Sequence, residues 1–192
     1  MKLNVKSVIV TFCIIAMSVI NIGMVINVDA AAIRYELELR SDLIDQVDDY
    51  IKSYAPTSKV SADSIVNICI EKHMDITLLL AQAHLESHFG TCGLAKKTNS
   101  MFNIGAFDNE KPRNRYSDIN ECIREYVSVM QSHYLNTRDV DSLIADGFTN
   151  KNGYRYASSI DYEKAMRSLI HRVEKETNIK KIQQILNLTH NG

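Results

Sequence analysis

The sequence predicts a mainly helical α+β domain that follows an apolar leader. Apolar residues recur at intervals of three and four over most of the chain beyond residue 40, which is the spacing of amphipathic helices. Residues 90–117 break this spacing and are rich in turn formers, so they predict an irregular insert with a short hairpin near 102–116. The chain contains no internal repeat and no low-complexity tract. Its 192 residues therefore suit a single domain after the leader.

The first thirty residues predict a targeting segment. Lys2 and Lys6 precede an uncharged, mostly apolar run over residues 7–28, and the small residues around Ala30 fit a signal-peptidase site. The run is long for a signal peptide and marginal for a membrane span, so an uncleaved N-terminal membrane anchor is the alternative. Either interpretation predicts export, with residues 31–192 as one domain that is secreted, periplasmic or held at the cell envelope.

Capping residues indicate where the helices before the insert begin. A serine or aspartate at the N-cap accepts a hydrogen bond from the first turn, and glycine favours the end of a helix. Such residues precede each run of helically spaced apolar residues. The predicted caps and helices are Ser41 before 44–54, Ser61 or Asp63 before 65–69, and Asp75 before 76–89 with Gly90 as its C′ residue.

Helical spacing resumes after the insert. The cleanest amphipathic pattern in the chain covers residues 119–130 and follows Asp118 as its predicted cap. The other predicted elements are a short helix over 140–144, a loop over 147–159, a helix after Asp161 and a last helix over 182–186.

The net charge argues against one class of function, and the cysteine content argues against disulfide bonds. The net charge is −1 and no basic run is present, so the electrostatic footprint of a nucleic-acid binder is missing. Cys13 falls in the leader, which leaves an odd number of cysteines and no CxxC pair, and we predict no disulfide. Cys69 and Cys122 lie on apolar helix faces and are predicted to be buried, whereas Cys92 is predicted to be a free thiol in a loop.

One carboxylate stands on the apolar face of the 76–89 helix. Glu86 lies seven residues after Leu79 and three after Ala83, so these residues share a face. Near the end of a helix, partial burial and the negative end of the dipole both disfavour the ionised form and raise the pKa of a carboxyl. A carboxyl protonated near neutral pH is what glycoside hydrolysis requires as its general acid. The alternative is a half-exposed glutamate on the flank of the helix.

Two histidines near Glu86 invite a zinc hypothesis. His84 and His88 are one helical turn apart, but the metalloprotease pattern H-E-x-x-H needs a glutamate directly after the first histidine, and Leu85 stands there. Glu86 also lies on a different helix face from the histidines. We therefore predict that both histidines are surface residues and that the protein uses no metal and no cofactor.

The residues around Glu86 resemble the signature of glycoside hydrolase family 73. Residues 81–90 read AQAHLESHFG, where the family usually has AQAxLESxWG, and they are followed by GLA at 93–95 and SMFNI at 100–104, where the family has GLA and NNLFxI. The chain departs from the family in Phe89, where tryptophan is common, and in Asn103, where glycine is more frequent. These departures keep the aromatic character.

Two further blocks extend the resemblance. Residues 153–162 read GYRYASSIDY and resemble the family's RYA…Y element. Residues 115–126, followed by 134–138, are similar to the segment found in the Bax-like branch of these proteins. The resemblance therefore runs from about residue 61 to about residue 173, and three ordered blocks are more specific than one short motif.

The resemblance implies both a fold and an activity. The implied fold is lysozyme-like, with a helical lobe and a small β element that walls the cleft. The implied activity is that of a peptidoglycan hydrolase, an endo-β-N-acetylglucosaminidase that cuts the glycan strand with Glu86 as the acid and with Tyr156, the tyrosine of the RYA-like element, beside the cleft. The alternatives are a lytic transglycosylase or muramidase, or a glycan-binding protein that has lost turnover. The Gly-Leu-Met-Gln-like segment usual in transglycosylases is missing after Glu86.

The sequence offers several candidates for the second catalytic group and does not choose between them. Asp108, Glu110, Asp118 and Glu121 lie in or beside the insert that would face Glu86. Asp118 is more simply a helix cap and Glu121 a solvated helix residue, so Asp108 and Glu110 are the better candidates. A carboxylate roughly 6.5 to 9.5 Å from the acid would act as a base on water, and one at roughly 5 to 5.5 Å would be a nucleophile.

The remaining candidates are residues that would contact sugar. Phe102, Tyr116 and Tyr154 lie in loops and are candidate stacking platforms. Gln82 and Asn103 belong to the matched motif and are candidates by resemblance. The predicted partner is the glycan strand of peptidoglycan, and the predicted state is a monomer, with membrane association only through the N-terminal segment. Arg155 is predicted to hold its loop by hydrogen bonds.

Overall fold

Helices dominate the computed structural model, which describes residues 5–104 and 116–190, with the side chains of 30–104 and 116–187. Over these residues the chain forms eight α-helices, one π-helical segment and a single isolated β-bridge between Thr149 and Arg155. The elements are α1 Val5–Tyr54, α2 Ala62–Glu71, α3 Ile76–Ser87, α4 Ala95–Thr98, α5 Glu121–Val129, the π-helix Met130–Leu135, α6 Val140–Ala145, α7 Tyr162–Glu176 and α8 Ile179–His190.

The mainly helical class is confirmed, but the small β element is not found in the described part of the chain, where the isolated bridge is the only pairing of strand type. The predicted hairpin near 102–116 falls largely outside the described residues. The insert also contains the short helix α4, which its turn-rich sequence did not predict.

The chain divides into two units, Met1–Leu39 and Arg40–Gly192. In the first unit, the apolar side chains of Ile33, Tyr35 and Leu37 are exposed. Within the described residues, no helix combines the length and the apolar character needed to cross a membrane. The predicted leader covers residues 1–30, and the side chains of residues 1–29 lie outside those that the structure describes.

The predicted helix start at Ser41 is wrong, because α1 runs through this residue without interruption. No glycine or proline occurs between Met24 and Ala55, and a serine inside a helix costs only a few tenths of a kcal/mol. The helix stops where Pro56 disfavours helical geometry at the residue before it.

Helix α3 lies at the centre of the second unit. It packs against α2, α7 and α8, and it is apolar on nearly every side, as a fully surrounded helix must be. The predicted N-cap is confirmed, since the Asp75 carboxylate accepts from Leu78 N at 3.0 Å. Ser61 caps α2 in the same way, accepting from Ser64 N at 3.1 Å.

The end of α3 differs from the prediction by two residues. The helix ends at Ser87, because His88 and Phe89 take the left-handed φ values of 53° and 54° before Gly90 at 78°. Such values are uncommon in residues other than glycine. Two contacts hold them here: Phe89 N donates to Ala83 O at 3.0 Å, and Ser58 Oγ donates to Phe89 O at 2.8 Å. Glu86 therefore lies in the last turn of the helix, as predicted.

The start of α5 is also different. The helix begins at Glu121, and Asn120 occupies the N-cap position without a capping side-chain bond. Asp118 instead accepts from Asn120 N at 2.6 Å, and Glu121 accepts from the Ser117 hydroxyl at 2.6 Å, so both carboxylates stabilise the turn before the helix. The other predicted helices are present as α6, α7 and α8, whereas the π-helix was not predicted.

The cysteine predictions are confirmed. Cys69 and Cys122 are fully buried among apolar side chains of α2 and α5, and Cys92 is a free, exposed thiol.

Candidate active site

The Glu86 carboxyl is half-buried and is bonded by neutral donors. Tyr162 Oη donates to its Oε1 at 3.0 Å, and Asn103 Nδ2 donates to its Oε2 at 3.2 Å. Among the described residues, no lysine or arginine forms an ion pair with it. Burial raises the pKa of Glu86 above the usual value for a glutamate, and the two hydrogen bonds partly counteract this rise. The carboxyl is therefore biased towards its protonated form.

Asn103 is held against α3 by the turn that contains it. Ser87, the residue after Glu86, donates from its hydroxyl to Met101 O at 2.6 Å, and Asn103 Nδ2 also donates to the backbone oxygen of Glu86 at 2.9 Å. Asn103 has a φ of 52°, a left-handed value that asparagine tolerates better than most residues. This conformation accounts for the asparagine at a position where the resembled family more often has glycine.

Tyr162 is the first residue of α7, and it is itself held by two buried side chains. Gln82 Nε2 donates to Tyr162 Oη at 2.9 Å, and Tyr126 Oη donates to Gln82 Oε1 at 2.6 Å. Gln82 lies one helical turn before Glu86 on α3, so both side chains leave the helix on the same side. A continuous hydrogen-bonded chain thus connects α5, α3 and α7 to the Glu86 carboxyl.

Tyr156 belongs to the same cluster. Its ring stacks on Tyr162 with the centroids 5.9 Å apart, and its hydroxyl donates to Phe102 O at 2.8 Å. Burial, followed by the charge of Glu86, raises the pKa of both Tyr156 and Tyr162 well above the ordinary tyrosine value. Both hydroxyls therefore keep their protons over the physiological range.

Two of the predicted sugar contacts have no exposed surface. Gln82 and Phe102 are both 0% exposed, and the Phe102 ring stacks on Tyr126 at 3.7 Å. Both ends of the Gln82 amide already have partners. In this conformation neither side chain reaches a sugar, and each contributes to the support of the site instead.

The other predicted contacts are more accessible. Tyr116 is half-buried, and its hydroxyl donates to Glu125 Oε2 at 2.7 Å. Tyr154 is 70% exposed and lies two residues from Tyr156. Asp108 and Glu110 lie outside the described residues, so their distances to Glu86 stay open.

The prediction for Arg155 is confirmed. Its guanidinium donates to Ser159 O at 2.9 Å and pairs with Glu163 Oε1 at 2.5 Å, which ties the loop before α7 to the first turn of that helix.

The prediction that His84 is a surface residue is wrong. The side chain is 9% exposed and lies between the rings of Tyr54 at 4.8 Å, His88 at 4.6 Å and Phe89 at 5.4 Å. The reason is that α3 is covered on the side opposite Glu86 as well, which the sequence pattern did not indicate. Burial, and then the charge of His88, lower the pKa of His84 to about 4, so this imidazole is neutral.

Sequence reasoning assigned no role to Tyr162 and Tyr126. Two features of the sequence could have indicated the support of Glu86. Tyr162 lies within the second matched block, and Gln82 is a polar residue one helical turn before Glu86 on a buried helix. Tyr126 appeared only as one residue of an amphipathic helix, and nothing local in the sequence distinguishes it from an ordinary core tyrosine.

A half-buried carboxyl whose pKa is raised by burial, placed in the last turn of a central helix and bonded by neutral donors, has the features of a candidate general acid of the kind that glycosidases use. Residues 62–175, more than half of the chain, match the model of the glucosaminidase family, described as mannosyl-glycoprotein endo-β-N-acetylglucosaminidase. The chain belongs to this family, and it is a glycoside hydrolase, an endo-β-N-acetylglucosaminidase whose substrate is the glycan of peptidoglycan. A comparison with curated proteins gave no significant match.

Proposed function

We propose that Glu86 is the general acid of this endo-β-N-acetylglucosaminidase. The observation that carries the proposal is the setting of its carboxyl, which is partly desolvated, has only neutral hydrogen-bond donors as partners and has a raised pKa. A glutamate paired with a cation would be ionised and unable to donate a proton. Glu86 is free of such a pair among the described residues.

The chemistry follows from this assignment. Glu86 donates its proton to the glycosidic oxygen as the bond from that oxygen to the anomeric carbon breaks, and positive charge develops on the sugar ring. Addition of water then leaves a new reducing N-acetylglucosamine end. The bonds from Tyr162 and Asn103 strengthen as Glu86 becomes negative, because hydrogen bonds to charged acceptors are stronger than those to neutral ones.

A second group completes the reaction, and we assign it to the insert. Asp108 and Glu110 are the carboxylates that follow Asn103 most closely in the sequence. The chain is fixed on both sides of them, by the bond from Asn103 to Glu86 and by the bond from Tyr116 N to Thr98 O at 3.0 Å. A segment tied to the acid at one end and to α4 at the other is a suitable source of the group that activates water.

Tyr156 has a supporting part in this proposal. Its proton is committed to Phe102 O, so its oxygen can still accept a hydrogen bond from water or from the N-acetyl group of the substrate. Tyr154, which is strongly exposed on the same loop, and Tyr116 are the proposed sugar-stacking residues.

The role of Glu86 is tested with the full chain as wild type and as Glu86→Gln on purified peptidoglycan. Released ends are reduced with borohydride and identified by mass spectrometry. The wild type should yield reduced N-acetylglucosamine ends, and Glu86→Gln should lose activity by about 10²- to 10⁴-fold, the usual contribution of general acid catalysis. The matched control is Glu71→Gln, an exposed glutamate at the end of α2 that pairs with Lys72.

Glu86→Gln should still sediment with peptidoglycan, because the substitution removes a proton donor and not a surface. Full activity of Glu86→Gln would refute the proposal. Anhydro-muramic ends from the wild type would place the reaction among lytic transglycosylases, and no release from the wild type would favour the binding protein.

We also propose that residues 1–30 export the enzyme, because peptidoglycan lies outside the cytoplasmic membrane. The N-terminal mass of the protein from fractionated cells distinguishes the two forms of the proposal. Cleavage after Ala30 would indicate a secreted or periplasmic form, and an intact N-terminus in the membrane fraction would indicate an anchored one. An intact chain in the cytoplasmic fraction would contradict export.

A further inference from the structure

We infer that Tyr126, Gln82 and Tyr162 form a directional relay that orients Glu86 and leaves the transferable proton on its Oε2 atom. These three residues are called the buried relay below. The inference rests on the proposed role of Glu86 and assigns a positioning role to three side chains, only one of which, Gln82, was a candidate of any kind from the sequence.

The contacts of the buried relay are short and enclosed. The distances are 2.6 Å from Tyr126 Oη to Gln82 Oε1, 2.9 Å from Gln82 Nε2 to Tyr162 Oη, and 3.0 Å from Tyr162 Oη to Glu86 Oε1. Tyr126 and Gln82 are fully buried, and Tyr162 is nearly so. Buried networks of this kind hold their members in one arrangement because each unmade bond is costly.

The direction of the relay follows from the position of Tyr126. The orientation of an amide is assigned from its hydrogen bonds, so both orientations of Gln82 must be weighed. If the amide were turned, its NH₂ group would donate to Tyr126, and the Tyr126 proton would point to no acceptor among the described residues. A buried hydroxyl proton without an acceptor is strongly unfavourable. Tyr126 therefore donates to Gln82, and Gln82 donates to Tyr162.

This direction determines which oxygen of Glu86 is protonated. Since Tyr162 accepts from Gln82, its own proton is available for Glu86, and Oε1 is the acceptor. A carboxyl whose Oε1 accepts this bond carries its proton on Oε2. The hydrogen bond from Asn103 Nδ2 to Oε2 is longer, at 3.2 Å, and the same amide nitrogen also donates to the backbone oxygen of Glu86 at 2.9 Å. Oε2 is thus the oxygen that transfers the proton to the leaving sugar.

The relay also acts after the transfer. When the bond between Oε2 and hydrogen breaks, the carboxylate becomes negative, and the Tyr162 hydroxyl is already aimed at it. Burial and the charge of Glu86 keep the phenols of the relay protonated, so the donors are present in both states of the acid. A preorganised donor of this kind stabilises charge without reorganising during the reaction.

The test uses substitutions that keep the rings and remove single hydroxyls. Tyr162→Phe removes the donor to Oε1, so the carboxylate form loses a partner and the pKa of Glu86 should rise by about one pH unit, given the usual strength of a bond to a charged acceptor. Tyr126→Phe removes the first donor of the relay, which is separated from Glu86 by Gln82 and Tyr162. The Gln82 amide can then turn and draw the Tyr162 proton away from Glu86, so the pKa should rise in the same direction by about half as much.

The measurement is a ¹³C NMR titration of the full chain with labelled glutamate. The Glu86 carboxyl signal is assigned by its loss in Glu86→Gln. The matched control is Tyr54→Phe, which removes a phenol that donates to another glutamate, Glu176, at 2.7 Å. This control should leave the titration of Glu86 unchanged. The basic limb of kcat/KM against pH should move to higher pH in both relay variants, with a lower maximum.

The outcomes separate the inference from the proposed function. A titration of Glu86 that moves in Tyr162→Phe but not in Tyr126→Phe would overturn the directional relay. An unchanged titration in both variants would overturn the positioning role altogether. If both variants shift the titration as expected while Glu86→Gln keeps full activity, the relay is supported and Glu86 as the acid is refuted. Gln82→Met, which keeps the length and removes both polar ends, should match or exceed the shift of Tyr126→Phe.

Discussion

Gly90 lies in the turn that follows α3, four residues after Glu86, and replacing it with alanine should destabilise the protein for two separable reasons. Its φ of 78° is left-handed, and an added Cβ would lie 2.0 Å from the Cδ1 atom of Ile119. The backbone conformation costs an L-residue about 1–2 kcal/mol. Forcing a methyl group into a packed site costs about 1–3 kcal/mol more, although the Ile119 side chain can move in part.

Gly93→Ala separates these two contributions. Gly93 has a similar φ of 60°, but no atom lies within 4 Å of an added Cβ. We therefore expect Gly93→Ala to lower the free energy of unfolding by about 1–2 kcal/mol, and Gly90→Ala by about 2–5 kcal/mol. Adding Ile119→Val to Gly90→Ala removes the clashing Cδ1 and should recover part of the excess.

Urea unfolding followed by circular dichroism measures all three variants. Peptidoglycan release should fall in Gly90→Ala more than in Gly93→Ala, because Gly90 N donates to Ser87 Oγ at 2.8 Å and Ser87 holds the turn with Asn103. Equal destabilisation by the two alanines, or no recovery with Ile119→Val, would refute the steric part of the reasoning.

Three further predictions concern buried polar groups. Burial raises the pKa of Glu86 in the folded state. The stability of the wild type relative to Glu86→Gln should therefore be greatest below the pKa of the unfolded state and should decline as pH rises through the raised pKa. Urea unfolding at a series of pH values tests this, and a stability difference that does not change with pH would contradict it. Tyr50 has a buried hydroxyl with no partner among the described residues, so Tyr50→Phe should leave the free energy of unfolding unchanged or raise it by at most about 1 kcal/mol; urea unfolding measures this, and a clear loss of stability would show that the hydroxyl is bonded. Burial lowers the pKa of His84 to about 4, so its contribution to the stability of the folded state is complete above a pH of about 6.5 and is lost as the pH falls towards 4. His84→Phe should therefore weaken the dependence of the melting temperature on pH between these values. An unchanged dependence would count against a buried neutral imidazole.

Local patterns predicted the elements that depend on neighbouring residues. The Asp75 cap, the position of Glu86 in the last turn of α3 and the burial of Cys69 and Cys122 all follow from spacing and capping, which act within one or two helical turns. The same reasoning placed Ser41 at a helix start, because a good capping residue was present and nothing in the pattern reveals that the preceding turns are also helical.

The support of the acid could not be predicted in this way. The bonds from Gln82 to Tyr162 and to Tyr126 join residues that are 80 and 44 positions apart, and only the packing of α3 against α7 and near α5 brings them together. The left-handed backbone of His88 and Phe89 could not be predicted for the same reason, because bulky residues adopt such a backbone only where tertiary contacts outweigh its cost. The resemblance to a family made Glu86 and Tyr156 candidate site residues, but it gave no direction to the hydrogen bonds that connect them to the core.

In the proposed role of Glu86, its neutral partners satisfy two opposing requirements of an acid catalyst. Burial alone would raise its pKa and keep the proton bound, yet an acid with a very high pKa is a poor donor in the transition state. An arginine or lysine at the same distance would stabilise the anion but would also remove the proton from the resting enzyme. Tyr162 and Asn103 lie between these extremes, since each lowers the pKa of Glu86 without adding charge. Removing both donors should therefore move the basic limb of the pH profile upwards and reduce kcat together, whereas a partner that served only folding would reduce activity without moving the limb.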